Sequence, residues 1–370
     1  MQDLSQNPSH GGNLVWAATL AGCSPLDILD FSASINPLGP PQSAIAAIQK
    51  HLVALPHYPD PGYRNLRQAL AEVHHLSPDW ILPGNGSAEL LTWAGRELAA
   101  LSATYLPTPA FGDYLRSLQA FGAAVVQCPL KLEAVVEHSD PDTLLVQSLQ
   151  AAAPSSYDRS SGLLLNNPHN PTGQLYSASS LLPLLERYAL VVVDEAFMDF
   201  LLPDRQPTLV EWVEQYPNLV ILRSLTKFYS LPGLRLGYAI AHPDRLRQWQ
   251  QWRDPWTVNV LAEAAAIAVL NDHAFQQQTW DWLTAARSPL LQGLAKLPGF
   301  QPLPGAANFL LVQSEYSVTA LQQQLLQHHQ ILIRDCLSFP ELGDHFFRVA
   351  VRTIAENQRL LDSLVTITIA

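Results

Sequence analysis

The sequence is short of cysteine, of basic residues and of long apolar runs. Its three cysteines, Cys23, Cys128 and Cys336, lie far apart and form no Cys-x-x-Cys pair. That spacing argues against a disulfide framework and a structural zinc site, and it predicts a reducing cytoplasm. There are 21 basic against 32 acidic residues, a formal charge of −11. Nucleic acids and anionic membrane surfaces bind net basic faces, so we expect neither as a partner.

No apolar stretch reaches the roughly 18 residues that a membrane-spanning helix needs. The opening residues, from Met1 to Asn13, are polar and lack the basic and apolar segments of a secretory signal, so we expect none. Apolar residues make up 48% of the 370 residues and charged ones 14%. This composition is typical of a compact globular protein with about two domains. We expect no metal site.

Short apolar runs alternate with helical patterns through the middle of the chain. Helical spacing is found at 69–76 and 180–188, and strand-like runs lie at 162–168, 190–197, 219–227 and 235–241. Continuous Val, Leu and Ile runs separated by helices are typical of parallel strands that are buried on both faces. We therefore predict a large α/β domain, with a mostly parallel central sheet flanked by helices.

The pattern changes after residue 253. An Ala-rich amphipathic segment at 254–270 leads into Gln-rich helices, and short strands are predicted at 308–313 and 346–351. These elements predict a smaller α+β domain, while 151–162 is predicted to be a surface loop. The expected organisation is an N-terminal arm or lid packed with the small domain (1–40), the large domain (41–255) and a small C-terminal domain (256–370).

Two charged residues follow the predicted strands. Asp194 ends the run VVVD, and Lys227 follows the run ILRSLT, which is where open α/β sheets build their ligand sites. Taken alone, Asp194 is better explained as a surface charge or a helix cap, and Lys227 as a surface lysine at a strand end. Ser224, Thr226 and Arg235 around Lys227 offer hydroxyls and a guanidinium for a phosphate. A lysine with a lowered pKa beside that phosphate can form an imine with a carbonyl.

Two turns add polar groups to this set. NNPHNPTG (166–173) alternates Asn and Pro, a combination that enforces a rigid turn and offers side-chain amides. GNGSAELL (84–91) is a Gly-rich turn running into a helix, which provides a site for an anion at the helix start. Each turn alone is a common structural feature. Together with Asp194 and the imine-forming lysine, they are what a protein needs to hold pyridoxal 5′-phosphate.

Over nearly its whole length the chain resembles the fold-type I pyridoxal-phosphate aminotransferase superfamily. The resemblance is carried by NNPHNPTG, VVVDEAF and SLTKFYSLPGLRLGY. It implies that the large domain binds the cofactor, with Lys227 as the catalytic lysine bonded to its aldehyde and Asp194 on its ring nitrogen. The resemblance also implies that Asn170 binds the ring oxygen and that Phe111 stacks on the ring. The residues implied to bind the cofactor phosphate are Gly86, Ser87, Ser224, Thr226 and Arg235. Tyr58 is implied to reach the phosphate from the partner subunit of a homodimer with shared active sites.

Within the superfamily, several stretches resemble the threonine-phosphate decarboxylases of cobalamin synthesis. They are HGGNLVWAA (10–18), DFSASINPLGPP (30–41), DPWTVN (254–259), LIRDC (332–336) and FFRVAVR (346–352). The resemblance implies decarboxylation of L-threonine O-3-phosphate to (R)-1-aminopropan-2-yl phosphate. Histidinol-phosphate aminotransferase, dependent on 2-oxoglutarate, is the alternative, followed by a catalytically silent relative. Phe197 stands where many aminotransferases have a tyrosine that binds the ring oxygen of the cofactor. Its absence slightly weakens the interpretation as an ordinary transaminase.

The expected substrate is a small phosphorylated amino acid with two anionic groups. Arg334 and Arg348 are the expected clamps, because a guanidinium can bind an anion through two parallel bonds. Tight pairing of an arginine with the carboxylate should slow carbon dioxide loss. We therefore expect the arginines mainly to hold the phosphate, helped by His10, Gly11 and Gly12 and by the Asn170 amide. Arg352 is either a further clamp or a structural ion pair.

Overall fold

A computed structural model of the chain describes residues 10–137, 139–152 and 159–369. The strands within these ranges are β1 (Leu29–Asp30), β2 (Ile81–Asn85), β3 (Thr104–Thr108), β4 (Val125–Pro129), β5 (Gly162–Asn166), β6 (Leu190–Asp194), β7 (Leu219–Ser224), β8 (Leu236–Ala241), β9 (Phe300–Pro302), β10 (Phe309–Ser314), β11 (Ile331–Leu332), β12 (Arg334–Asp335) and β13 (Phe346–Ala350).

The helices of the same ranges are α1 (Leu14–Ala21), α2 (Gln42–His51), α3 (Arg64–His74), α4 (Ser87–Leu98), α5 (Gly112–Gln119), α6 (Leu132–Val136), α7 (Pro141–Ala152), α8 (Ala178–Arg187), α9 (Pro243–Trp252), α10 (Val260–Leu270), α11 (His273–Ala295), α12 (Val318–His329) and α13 (Ile354–Ile369).

The large sheet has the order β2-β8-β7-β6-β5-β3-β4. Only β8 runs antiparallel to its neighbours β2 and β7, whereas the pairs from β7 to β4 are parallel. Strand β6 is buried on both faces, because Val191 and Val193 pack into one apolar cluster and Leu190 and Val192 into another. The α/β fold with a mostly parallel sheet between helices is therefore confirmed.

A four-stranded antiparallel sheet, β12-β13-β10-β9, forms the centre of the C-terminal part. Helix α11 packs against α13 and β9, and α12 packs against α13, which is the predicted combination of a small sheet with helices. The N-terminal segment lies against this part, since β1 pairs in parallel with β11 and α1 packs on α12. The boundaries at residues 40 and 255 stay a prediction.

Three strands end earlier than the apolar runs suggest. Strand β5 ends at Asn166, β6 at Asp194 and β7 at Ser224. Strand β5 ends there because Pro168 lacks the N–H that continued sheet pairing needs. As a result Asp194 is the last residue of its strand, and Lys227 lies three residues beyond β7. Half of the predicted loop at 151–162 falls outside the described residues, since α7 continues to Ala152 and the description resumes at residue 159.

Within the described ranges, no helix combines the length and the apolar character that crossing a bilayer requires. In the same ranges no three histidine, cysteine or acidic side chains cluster as metal ligands would. All three cysteines are free thiols, with Cys128 and Cys336 buried.

Candidate active site

One cavity of about 570 Å³ collects nearly all of the predicted site residues. It lies at the carboxyl ends of β5, β6 and β7, where an open α/β sheet places its ligands. Residues of the small sheet and of the N-terminal segment close its other sides. The predicted residues that line it are His10, Gly11, Gly12, Gly86, Ser87, Phe111, Asn170, Asp194, Ser224, Thr226, Lys227, Arg235, Arg334 and Arg348.

The Asp194 carboxylate is held by hydrogen bonds to both of its oxygens. The Tyr114 hydroxyl donates to Oδ2 at 2.8 Å, and the Ala196 N–H donates to Oδ1 at 3.0 Å. Burial raises the pKa of Asp194, whereas the nearby Lys227 and the two hydrogen bonds lower it. The arrangement presents a fixed carboxylate at the cavity wall, suited to a cationic or N–H group of a ligand.

Lys227 enters the cavity from the turn after β7. Burial lowers the pKa of its amine, and the positive charges of Arg348 and Arg235 act in the same direction, while Asp194 opposes them. Its Nζ lies 4.9 Å from the centre of the Phe197 ring. A lowered pKa increases the uncharged fraction of the amine, which is the form that attacks a carbonyl.

An anion cradle lies beside the lysine. The Ser224 and Thr226 hydroxyls are 2.7 Å apart, and the Arg235 guanidinium packs against Gly86 at the start of α4. A Cβ on Gly86 would lie 2.7 Å from Arg235 Nη2, so a larger residue would displace the guanidinium, and the glycine has φ +76°, a backbone conformation that favours glycine. Two hydroxyls, a guanidinium and a helix N-terminus together favour a phosphate group.

Two arginines face the cavity from the small sheet. Arg334 and Arg348 are direct partners across the antiparallel pair β12–β13. The Arg348 guanidinium donates to Asn170 Oδ1 and lies 4.4 Å from the centre of the Phe309 ring. Arg334 donates to Ser338 Oγ at 2.6 Å. Like charges opposite each other on a sheet are destabilising, and a bound anion between them removes that cost.

Of the two arginines, Arg348 is the one whose surroundings indicate anion binding more strongly. Among the described residues, no carboxylate lies within 4.0 Å of its guanidinium. Burial and the neighbouring Arg334 lower its pKa to about 10. A half-buried guanidinium without an acidic partner is costly for the fold, and a substrate anion would supply the missing charge.

The N-terminal segment closes the cavity at His10, Gly11 and Gly12. The Gly12 N–H donates to Ser32 Oγ at 2.8 Å. A Cβ on Gly11 would lie 2.2 Å from the Ser32 carbonyl oxygen, so the chain can follow this path only with glycine. His10 Nε2 is 3.9 Å from Asp113, and its ring lies 5.8 Å from that of Phe111. The segment therefore contacts both the helix α5 region and the loop that follows β1.

Two predicted residues lie elsewhere. Tyr58 is 78% exposed and its ring packs on Trp256, outside the cavity. Arg352 binds Glu356 at 2.9 Å and the Asp30 carbonyl oxygen, and it does not line the cavity. Of its two predicted roles, the structural ion pair is the one observed.

Three residues that shape the site are not among those predicted from the sequence. Tyr114 binds Asp194, Ser338 binds Arg334, and Phe309 packs against both Arg348 and Phe197. A signal was available for Tyr114, because it lies three residues after Phe111 on α5, and residues at that spacing share a helix face. Nothing in the sequence alone places Ser338 or Phe309 at the site.

The turn that carries Asn170 also contains a buried histidine. His169 is 1% exposed, and its Nδ1 lies 2.7 Å from Thr172 Oγ1. Burial lowers its pKa to about 4 from its ordinary 6.5, so it is neutral in the folded protein at neutral pH. The unfolded chain takes up this proton at higher pH than the folded one. Stability from this group is therefore complete above pH 6.5 and is lost as the pH falls toward 4.

We expect the free energy of unfolding to fall by about 3 kcal/mol between pH 7 and pH 4 through His169. Replacing it by glutamine removes the titrating group, so the His169→Gln protein should lose correspondingly less stability over that range. Urea unfolding at several pH values measures the difference. The exposed His57 provides a control, since His57→Gln should retain the pH dependence of the parent. Equal pH dependence for the parent and His169→Gln would contradict the prediction.

The residues in the cavity fit pyridoxal phosphate. The cradle around Gly86, Ser224 and Arg235 suits its phosphate, Lys227 its aldehyde and Asp194 its ring nitrogen. A doubly wound large domain, a small domain and this set of residues define a fold-type I pyridoxal-phosphate enzyme. The family model for aminotransferase class I and II matches residues 27–364, and the chain belongs to that family.

Individual proteins are similar to the chain over most of its length. The chain is 38% identical to the threonine-phosphate decarboxylase of Salmonella typhimurium, over 97% of this chain and 96% of that protein. It is 28% identical to the adenosylcobalamin biosynthesis bifunctional protein CobDQ of Leptospira interrogans, over 96% of this chain and 40% of that protein. Among solved structures, the histidinol-phosphate aminotransferase of Clostridium acetobutylicum is 27% identical with a TM-score of 0.81, covering 92% of this chain and 99% of that one.

Proposed function

We propose that this protein is a pyridoxal-phosphate-dependent lyase that decarboxylates L-threonine O-3-phosphate to (R)-1-aminopropan-2-yl phosphate. The observation that carries the proposal is the pair Arg334 and Arg348, which face the cavity that also contains Lys227. Two neighbouring guanidinium groups suit a phosphate, which offers several acceptor oxygens and more than one negative charge. The identity of 38% to a threonine-phosphate decarboxylase supports the same substrate, and the likeness to the bifunctional protein supports a place in cobalamin synthesis.

The chemistry divides between the cofactor and the chain. Pyridoxal phosphate, when bound, supplies an aldehyde that links to amines and a ring that draws electrons from the substrate α-carbon. With the cofactor bound, Lys227 would hold its aldehyde, and Lys227 Nζ would hold or donate a proton beside the substrate. Asp194 binds the ring nitrogen in its protonated form, because an adjacent carboxylate stabilises that cation.

The remaining site residues position these two groups. We propose that Phe111 stacks on the ring, that Asn170 binds the ring oxygen, and that the phosphate is bound by Gly86, Ser87, Ser224, Thr226 and Arg235. The phosphate of the substrate is assigned mainly to Arg334 and Arg348. His10, Gly11 and Gly12 border Arg334 in an adjoining small cavity, which supports a role of the N-terminal segment at the same group.

Orientation decides which bond of the substrate breaks. With the cofactor bound, the residues that bind the substrate would determine which bond at its α-carbon is aligned for cleavage, and a decarboxylase must align the bond to the α-carboxylate. Binding the distal phosphate through the arginines leaves the carboxylate without a tight cationic partner, which favours its loss as carbon dioxide. A transaminase would hold the α-hydrogen in that place.

The test is a panel of phosphorylated amino acids, followed for carbon dioxide and for dependence on a 2-oxo acid. We expect threonine phosphate to release carbon dioxide with no 2-oxo acid present. Product that forms only after 2-oxoglutarate is added would contradict the proposal. That result, with turnover of histidinol phosphate, would establish the transaminase alternative, which the likeness to the Clostridium enzyme also favours.

Replacing Arg348 should weaken use of the substrate strongly. We expect Arg348→Gln to lower kcat/KM for threonine phosphate by about 100- to 1,000-fold, since a charge-assisted bond in a largely enclosed cavity is lost. Arg348→Lys keeps the positive charge but cannot form two parallel bonds to one anion, so its kcat/KM should lie between those of the parent and of Arg348→Gln. The exposed Arg205 provides the control, and Arg205→Gln should match the parent. An unchanged kcat/KM in Arg348→Gln would remove Arg348 from the site.

We further propose that the protein is a homodimer whose two subunits share their active sites. We also propose that it is cytoplasmic, and its free cysteines support that location. An exposed apolar patch supports the dimer. It consists of Leu52, Val53, Leu55, Tyr58 and Trp256, and patches of this kind mark interfaces. Tyr58 lies outside the cavity of its own chain, which is consistent with a role in the site of a partner.

Sedimentation of the holoenzyme should give twice the mass of one chain. Val53, 81% exposed in the patch, is the position to change, and Val53→Asp should shift the protein toward monomer because it places a charge in an apolar contact. Val365 is also exposed but lies on α13, and Val365→Asp should leave the mass unchanged. A monomeric parent protein at micromolar concentration would contradict the dimer.

A further inference from the structure

Tyr114 contacts a residue of the proposed active site but has no role in the proposed function described above. It lies on α5, is 2% exposed, and has its hydroxyl 2.8 Å from Asp194 Oδ2. Phe111 packs edge-on against its ring at 5.6 Å. Two elements separated by strand β5 in the sheet, β6 and the helix after β3, are thus joined at one carboxylate.

The proton of this hydrogen bond stays on the tyrosine. Burial and the negative charge of Asp194 raise the pKa of Tyr114 well above its ordinary value, so the phenol is a donor throughout the working pH range. In the other direction, the bond lowers the pKa of Asp194 against the effect of burial. The carboxylate is therefore a weaker base than it would be without Tyr114.

We propose that Tyr114 is a positioning residue that holds the Asp194 carboxylate in one orientation and weakens it as a base toward the ring nitrogen of the cofactor. The inference rests on the proposed function. A carboxylate and a ring nitrogen at one site compete for one proton. Because the Tyr114 bond makes the carboxylate the weaker competitor, the proton resides on the nitrogen, where it draws electrons from the substrate.

The test uses holoenzyme loaded with pyridoxal phosphate that carries ¹⁵N at the ring nitrogen. The ¹⁵N chemical shift reports whether that nitrogen is protonated. In Tyr114→Phe we expect the shift to move toward the value of neutral pyridine. We also expect kcat to fall about tenfold or more, because a hydrogen bond to a charged group is lost, while KM changes little. A merely structural role would change stability without moving the ¹⁵N shift.

A matched control is available in Tyr188. Its hydroxyl is also buried, and among the described residues it has no hydrogen-bond partner. Tyr188→Phe should therefore leave the ¹⁵N shift and kcat at the parent values. A third protein, with 3-fluorotyrosine in place of Tyr114, keeps the shape and makes the phenol a stronger donor. It should retain the protonated ¹⁵N shift and the parent kcat.

The outcomes separate this inference from the function on which it rests. If Tyr114→Phe binds the cofactor and gives the parent ¹⁵N shift, the role of Tyr114 is wrong and the proposed function stands. If Tyr114→Phe moves the shift and the fluorinated protein does not, the role is supported. If the parent protein binds no labelled cofactor, both the proposed function and this inference fail.

Discussion

Replacing Lys227 by alanine should reduce carbon dioxide release from threonine phosphate by about 1,000-fold or more. The chain has four lysines, and Lys227 is the one that lies in the cavity, whereas Lys50, Lys131 and Lys296 are exposed. Loss of its amine removes both the anchor for the cofactor aldehyde and the group that transfers a proton, and proton transfer alone contributes about 10²–10⁴-fold. Steady-state release of carbon dioxide measures the effect.

The control for this variant is the exposed Lys50. Lys50→Ala should retain the parent rate and the parent content of cofactor after gel filtration. A small primary amine added to the Lys227→Ala protein should restore part of the rate, because it can replace the missing proton-transfer group. Unchanged turnover in Lys227→Ala would contradict the role of the lysine and would favour a catalytically silent site.

The second large effect is expected at Asp194. We expect Asp194→Asn to lower kcat by about 100- to 1,000-fold, since the buried cation at the ring nitrogen loses its charged partner. Asparagine keeps the shape of the side chain, so the loss reports charge rather than packing. The measurement is carbon dioxide release at saturating threonine phosphate. Asp204, which is exposed, serves as control, and Asp204→Asn should match the parent.

A modified cofactor makes the Asp194 experiment more specific. Pyridoxal phosphate methylated at the ring nitrogen carries a fixed positive charge and needs no carboxylate to maintain it. It should restore part of the activity of Asp194→Asn. Failure of this rescue in a protein that binds the methylated cofactor would indicate that Asp194 acts through packing rather than through charge.

The sequence predicted the part of the site that depends on strand ends. Asp194 and Lys227 both follow buried apolar runs, and in a parallel sheet such positions meet at one edge. Their convergence on one cavity with Asn170 and Ser224 follows from that rule, whatever the lengths of the helices between them. The predicted strands were too long by two to three residues, because pairing stops at Asn166, Asp194 and Ser224 although apolar residues such as Phe197 and Leu225 still follow.

The rest of the site depends on packing that the sequence does not encode locally. The sequence indicated Arg334 and Arg348 as clamps, but these residues are 14 positions apart in the chain, and the register of β12 and β13 is what places them opposite each other. Tyr114 reaches Asp194 only because β3 and β6 lie on either side of β5 in the sheet. Arg352 has the same residue type as Arg348, and only its contact with Glu356 distinguishes a structural ion pair from a clamp.

The central claim is that Lys227 is the amine that bonds the cofactor, and it is tested most directly by reductive trapping. Purified protein saturated with pyridoxal phosphate is treated with borohydride, which makes the bond between lysine and cofactor permanent, and is then digested for mass spectrometry. We expect one added cofactor per chain, on the peptide that contains Lys227. An unmodified Lys227 peptide, or label confined to Lys50, Lys131 or Lys296, would contradict the account.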